Sequence, residues 1–238
     1  MIRKLTLALL LTFPTMSMAI DLEGYYITAK GGASKTFNTG MTSFNDKDGN
    51  LIAFPNEDLS TGSAFGFSVG KYLTDSFRLE LEAIKRTNYE YDVNALLFPA
   101  SANKAKIETH ALFINGFYDF QPFSISNTSI TPYLGCGVGI SRNKIGTIVE
   151  HEDGPPNGMT TDGDTINQFA YKLSAGTLFS LTEQLSLDVN YQYVNLEAFK
   201  GSTEVYDEEE REEDDYQRGT NGGEIKSQEL MVGLQYTF

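Results

Sequence analysis

A single cysteine, Cys136, leaves no partner for an internal disulfide. Tryptophan is absent, so any aromatic belt at a membrane boundary must be built from the 13 tyrosines and 16 phenylalanines. Positive charge is scarce: 18 Lys and Arg stand against 32 Asp and Glu, a net charge of -14, which disfavours nucleic acid as a partner. Long apolar runs are missing as well. Beyond residue 19 nothing stays apolar for the ~18 residues that a membrane helix requires, so if the chain crosses a bilayer it does so as strands.

The first residues have a different character. Arg3 and Lys4 precede an apolar run from Leu5 to Phe13, then Pro14 and the small residues Ser17 and Ala19. That layout is a cleavable export signal over residues 1–19, with an apolar run too short to span as a helix. The mature chain, residues 20–238, then has the length of one domain and no cysteine beside the cleavage point to carry a lipid anchor. Removing Arg3 and Lys4 leaves 16 basic residues (18 less 2) against 32 acidic ones, or -16.

What is present is alternation. In the terminal run LMVGLQYTF, apolar Leu230, Val232, Leu234, Tyr236 and Phe238 alternate with Met231, Gly233, Gln235 and Thr237. Seven earlier runs share the period of two that marks strands. They are Tyr25 to Ala33, Phe65 to Gly70, Phe77 to Ala83, Ala111 to Phe120, Ile130 to Ile140, Phe169 to Gly176 and Leu185 to Tyr193. The fourth run has apolar residues on both faces, Leu112 and Ile114 against Ala111 and Phe113. In the fifth, Leu134, Cys136, Val138 and Ile140 oppose Gly135, Gly137 and Gly139, whose missing side chains make room for larger neighbours.

Connections after runs two and six are short, that from Gln121 to Ser129 is intermediate, and those after runs one, three, five and seven are long. A sheet with one oily face in lipid must have both backbone edges paired, so the expected fold is all-β: an eight-stranded antiparallel transmembrane β-barrel with four long extracellular loops and short periplasmic turns. Tyr25, Phe77, Tyr118, Phe179, Tyr236 and Phe238 then form one interfacial girdle, and Phe65, Phe169, Tyr191 and Tyr193 the other. Inward charges would be Lys30, Arg78 and Lys172 against Glu80, Glu82, Asp188 and Glu229. An eight-stranded lumen is narrow enough for these to pair instead of lining a wide channel.

Six segments in order, RLELEA (Arg78 to Ala83), ALFINGFYDF (Ala111 to Phe120), ITPYLGCGVGI (Ile130 to Ile140), FAYKLSAG (Phe169 to Gly176), LSLDVNYQYV (Leu185 to Val194) and the terminal LMVGLQYTF, resemble the opacity-type surface-antigen family of Gram-negative outer-membrane proteins, especially its rickettsial-type branch. The resemblance covers the strands and none of the long loops. It implies an OmpA-like barrel in the outer membrane that serves host-cell adhesion, antigenic display or small-solute permeation. The expected role is surface antigen or adhesin, with a narrow porin as the alternative and an outer-membrane enzyme third. Expected partners are outer-membrane lipids and lipopolysaccharide, the barrel-assembly machinery through the strand ending at Phe238, and a host-cell receptor through the loops 38–62, 87–106, 143–167 and 197–224.

No catalytic, cofactor or metal residue is expected. The segment Glu204 to Tyr216 holds nine carboxylates and Arg211; it reads either as a cation-collecting tip or as a solvated loop, the latter favoured because like charges repel. Asn45, Asp46, Asp48, Gly49 and Asn50 lack the closing Glu of a calcium loop and read better as a hairpin turn. Asp162, Gly163 and Asp164, beside Pro155-Pro156, take the same discount. Glu108 and His110 share a strand face, but the nearest hydroxyl is Thr109 and no nucleophile motif accompanies them. His151, between Glu150 and Glu152, reads as a surface residue, and Cys136 as a small apolar side chain facing lipid.

Overall fold

The structure, a computed structural model, describes residues 22–37, 39–43, 52–54, 58–94, 102–126, 128–151, 160–161, 163–200, 205–206 and 222–238. The expected export signal and the Asp48-Gly49 turn lie outside them. Eight long strands carry the fold: β1 (Tyr25–Thr36), β2 (Gly62–Tyr72), β3 (Phe77–Asn94), β4 (Ala102–Asp119), β5 (Thr128–Ile145), β6 (Thr165–Ser180), β7 (Leu185–Lys200) and β8 (Gly222–Thr237). Each pairs antiparallel with the next, and β8 pairs back onto β1 from Tyr26↔Thr237 to Thr36↔Ser227. The sheet is therefore closed. Closure removes both edges, which is what allows a sheet to turn an oily face toward hydrocarbon.

The period of two sorts the side chains as expected. Phe67, Leu79, Leu81, Ile114, Leu134, Val138, Leu173, Val232 and Leu234 stand on the outer wall, while Lys30, Arg78, Glu80, Glu82, Lys172, Asp188 and Glu229 are buried inside. β4 resolves the same way, with Leu112, Ile114 and Tyr118 outside and Ala111, Phe113, Asn115 and Asp119 inside. Inward glycines accept large neighbours: a methyl on Gly135 would lie 2.3 Å from the Phe117 ring, and one on Gly70 would lie 2.1 Å from Tyr26 Cζ.

Two short turns share one design. In Leu73-Thr74-Asp75-Ser76 the Thr74 hydroxyl accepts from the N–H groups of Ser76 and Phe77, and in Leu181-Thr182-Glu183-Gln184 the Thr182 hydroxyl accepts from Gln184 and Leu185. A threonine at this place satisfies donors that the ladder leaves behind. The connection from Gln121 to Ser129 is itself a small hairpin, Phe123–Ile125 pairing with Thr128 to Ile130. All three turns lie at the end where β1 begins and β8 stops. Rings pack along this end: Phe77 on Tyr118 at 5.1 Å, Tyr118 on Phe120 at 5.1 Å and Tyr236 on Phe238 at 5.2 Å.

The opposite end corrects the expected loop boundaries. β3, β4 and β5 each run for 18 residues, whereas a tilted strand needs only about 9–11 to cross. Residues 89–94, 102–106, 143–145, 165–167, 198–200 and 222–224, all expected in loops, are paired strand. The sheet continues because backbone pairing does not depend on an oily face. Two β-bulges mark the extension, one between Arg86 and Tyr89 with Asn88 at φ 66°, one between Asn195 and Ala198 with Glu197 at φ 58°. Each shifts the alternation by one residue and re-aims the side chains beyond it.

Candidate functional site

Two regions of the barrel could act: the lumen and the loop end. The lumen is filled in layers. Nearest the turns, the Arg78 guanidinium lies 4.5 Å from the Phe117 ring centre and 4.8 Å from that of Tyr133, with Tyr26 and Tyr72 beyond; its Nε donates to Asp119 Oδ1 at 3.1 Å and lies 2.8 Å from Oδ2. Its Nη1 donates to Gln235, and Tyr133 donates to Asp188 at 2.7 Å. A cation held among four rings and a carboxylate is both desolvated and compensated.

In the middle layer Glu82 receives Lys30 at 2.6 Å and also Lys172, while the Asn115 amide bridges Glu80 and Glu82 at 3.0 and 3.1 Å. Above it Glu229 collects Arg86 at 2.5 and 3.1 Å, Ser34 at 2.7 Å, Gln192 at 2.5 Å and Ser227 at 3.0 Å. Among the described residues, four buried cations thus meet five buried carboxylates: Lys30, Arg78, Arg86 and Lys172 against Glu80, Glu82, Asp119, Asp188 and Glu229. Between these layers a void of about 10 Å³ is lined by Lys30, Arg78, Glu80, Tyr133, Asp188 and Asn190. That is about the space of one water molecule.

The loop end is closed by apolar side chains. Leu59, Tyr89, Ile107, Ile145, Val194, Leu196, Phe199 and Ile225 are buried in one cluster. Leu59 arrives from the first connection: its carbonyl accepts from Thr36 at 2.8 Å, and neighbouring Ser60 bonds to Asn88 and Glu90 of β3. The same connection is tied to β8, since Thr39 O accepts from Glu224 N at 2.8 Å and Thr42 pairs with Gly222. Its strands Met41–Ser43 and Ile52–Phe54 pair antiparallel. In the third connection Ile148–His151 pairs with β4 and with Thr160–Thr161, which in turn pairs with Val205–Tyr206 of the fourth.

The structure places most of the residues singled out in the sequence. Of the acidic segment Glu204 to Tyr216, Val205 and Tyr206 are paired strand; Glu204 and residues 207–216 lie outside the described residues. Asp164 serves its own turn, accepting from Thr165 N at 2.6 Å. His110 faces outward and Thr109 is buried inward, so the hydroxyl closest to it in sequence is on the wrong side of the sheet. Glu108 faces outward with His110 and pairs with Lys85 at 3.5 Å. Cys136 is exposed on the outer wall. The side chain of His151 lies outside what is described. Sequence reading missed Arg86, Tyr89 and Leu59. Continuing the alternation Glu80, Glu82, Ile84 would have found Arg86; the bulge hid Tyr89, and nothing local announces Leu59.

Comparison with known proteins agrees with this architecture. Residues 5–238 match the family described as outer membrane protein beta-barrel domain. Outer membrane protein PagN of Salmonella typhimurium is 27% identical over 230 residues, covering 91% of this chain and 90% of PagN. Among solved structures, outer membrane protein OprG of Pseudomonas aeruginosa superposes with a TM-score of 0.62 at 17% identity, covering 91% of this chain and 96% of OprG. Neisserial surface protein A gives 0.54 at 14%, covering 91% and 98%. At these identities the two structures speak for the fold alone.

Proposed function

The chain belongs to the outer membrane protein beta-barrel domain family, and on that premise we propose that it is a surface antigen or adhesin that presents its loops to a host cell or to the environment. It is an outer-membrane protein with an OmpA-like barrel, and the short turns of such barrels face the periplasm. The single observation that carries the reading is the length of β3 and β4, 18 residues each, which stay paired as far as Asn94↔Ala102. About 8 of those residues exceed what the bilayer needs, and at ~3.3 Å per residue and ~40° tilt they raise the base of the loop between β3 and β4 roughly 20 Å above the lipid. A paired hairpin standing on a closed barrel suits presentation of binding loops.

The finer reading, membership of the opacity-type or rickettsial-type surface antigens, rests on the strand segments and supports adhesion. It carries with it an export signal at residues 1–19, assembly of the barrel through the strand ending at Phe238, and contact with lipopolysaccharide at the outer wall. No catalytic role is assigned. The test is binding of cells displaying the intact chain to cultured host cells, compared with a chain whose four connections are cut back to the barrel rim. Loss of binding on trimming is expected; equal binding by the two overturns the adhesin reading. The narrow-porin alternative is disfavoured by the filled lumen.

A further inference from the structure

On the outer wall, apolar side chains give way to polar ones along a line: Phe65 to Ser63 on β2, Ala83 to Lys85 on β3, Leu112 to His110 on β4, Ile140 to Arg142 on β5, Phe169 to Asn167 on β6 and Leu230 to Gln228 on β8. Lys85 lies eight residues above Phe77 of the turn-end girdle (85 less 77). At ~3.3 Å per residue and ~40° tilt that is roughly 20 Å, near the upper edge of a ~25 Å apolar band. The line therefore marks the headgroup level of the outer leaflet.

Along β3, β4 and β5 this line is basic. Lys85 pairs in register with His110, and His110 with Arg142, so three nitrogen-bearing side chains stand side by side. Neighbouring strands are ~4.8 Å apart, which puts them within about 10 Å of one another. Lys144 and Lys106 stand above, with Glu108 and Glu90 between. In a chain of net charge -14 this concentration does not follow from composition.

Directly beneath it the wall is hollow. A groove of about 390 Å³ runs between Phe65 and Phe67 on one side and Ala83, Lys85 and His110 on the other. It exists because Ala83 is small where its register partners, Phe67 and Leu112, are large. An apolar trough under a cationic lip matches an acyl chain beneath a phosphate.

We propose that this groove and lip form a binding site for a phosphorylated glycolipid of the outer leaflet, the phosphate held by Lys85, His110 and Arg142 and one acyl chain lying over Ala83. The proposal rests on the reading of lipopolysaccharide as a partner and gives that contact a place. Lys85 is free to serve because its pair with Glu108 is 3.5 Å long and both side chains are nearly half exposed, a geometry that holds an ammonium only weakly.

The test uses the full chain in phosphatidylcholine nanodiscs containing either diphosphorylated lipid A or the same lipid with its phosphates removed, with bound lipid counted by native mass spectrometry. Phosphorylated lipid A should be retained over the dephosphorylated form by about tenfold, as expected of two charge-assisted contacts. The outward variants Lys85→Gln with Arg142→Gln, and separately Ala83→Leu, should lose that preference. Equal retention of the two lipids by the unaltered chain overturns the proposal without any variant being made. Retention of phosphorylated lipid A by all three chains alike leaves lipopolysaccharide a partner and overturns this site. Displacement by inorganic phosphate alone also overturns it, since a free-anion site needs no groove.

Discussion

Arg86 and Glu229 meet inside the barrel in a two-point contact, Nε to Oε1 at 2.5 Å and Nη2 to Oε2 at 3.1 Å, although they lie on strands β3 and β8 with β2 and β1 between them. Both side chains are fully buried. Removing one partner strands the other charge in the lumen. Arg86→Met or Glu229→Leu should each destabilise the barrel by about 3–5 kcal/mol, and the double replacement by clearly less than the sum. Urea unfolding in lipid vesicles, followed by the mobility difference between folded and unfolded chain, measures this; strictly additive losses would show that the two do not act as a pair.

The lumen layers also govern permeation. Glu82 holds Lys30 and Lys172, Arg78 is lodged among aromatic rings, and the void between these layers is only about 10 Å³. The purified chain in planar bilayers should show no steady single-channel openings. Regular openings in the unaltered chain would restore the porin alternative.

Glycine tolerance should follow the wall. Gly70→Ala places a methyl against Tyr26 and should cost about 1–3 kcal/mol through overpacking, whereas Gly116, with nothing within 4 Å of an added Cβ, should accept alanine at little cost. Tyr26→Leu should recover part of the Gly70→Ala loss. If the two glycine variants unfold at the same urea concentration, the inward assignment of Gly70 is wrong.

The single thiol reports the medium of the outer wall. Cys136 is exposed in the structure yet lies between Leu134 and Val138 on the apolar face. In lipid vesicles it should resist a charged maleimide and react with a lipid-soluble one, and in urea it should react with both. Rapid labelling by the charged reagent in vesicles would place water against this wall.

Much of the barrel was readable from the order of residues. The eight runs, their oily and ionic faces, the short turns at Asp75 and Glu183 and the inward glycines of β5 all follow from a period that each strand expresses locally. The outer ends were not readable, because a stretch such as Tyr89 to Asn94 looks like loop while its backbone remains paired. Tyr89 escaped because a bulge breaks the count two residues before it. Leu59 escaped because a lone leucine in a polar connection carries no period at all, and only the fold shows that it caps the mouth.

By itself the sequence determined which side chains share a face, since successive residues of an extended chain must point to opposite sides, and the charges confined to one face, with the aromatic rims, assigned the other face to lipid. Tertiary structure decided the rest: the register that closes β8 on β1, the convergence of Ser34, Arg86, Gln192 and Glu229 on one point, and the groove beside Ala83. These depend on strands far apart in the chain being held at one relative height, and no local pattern encodes that height.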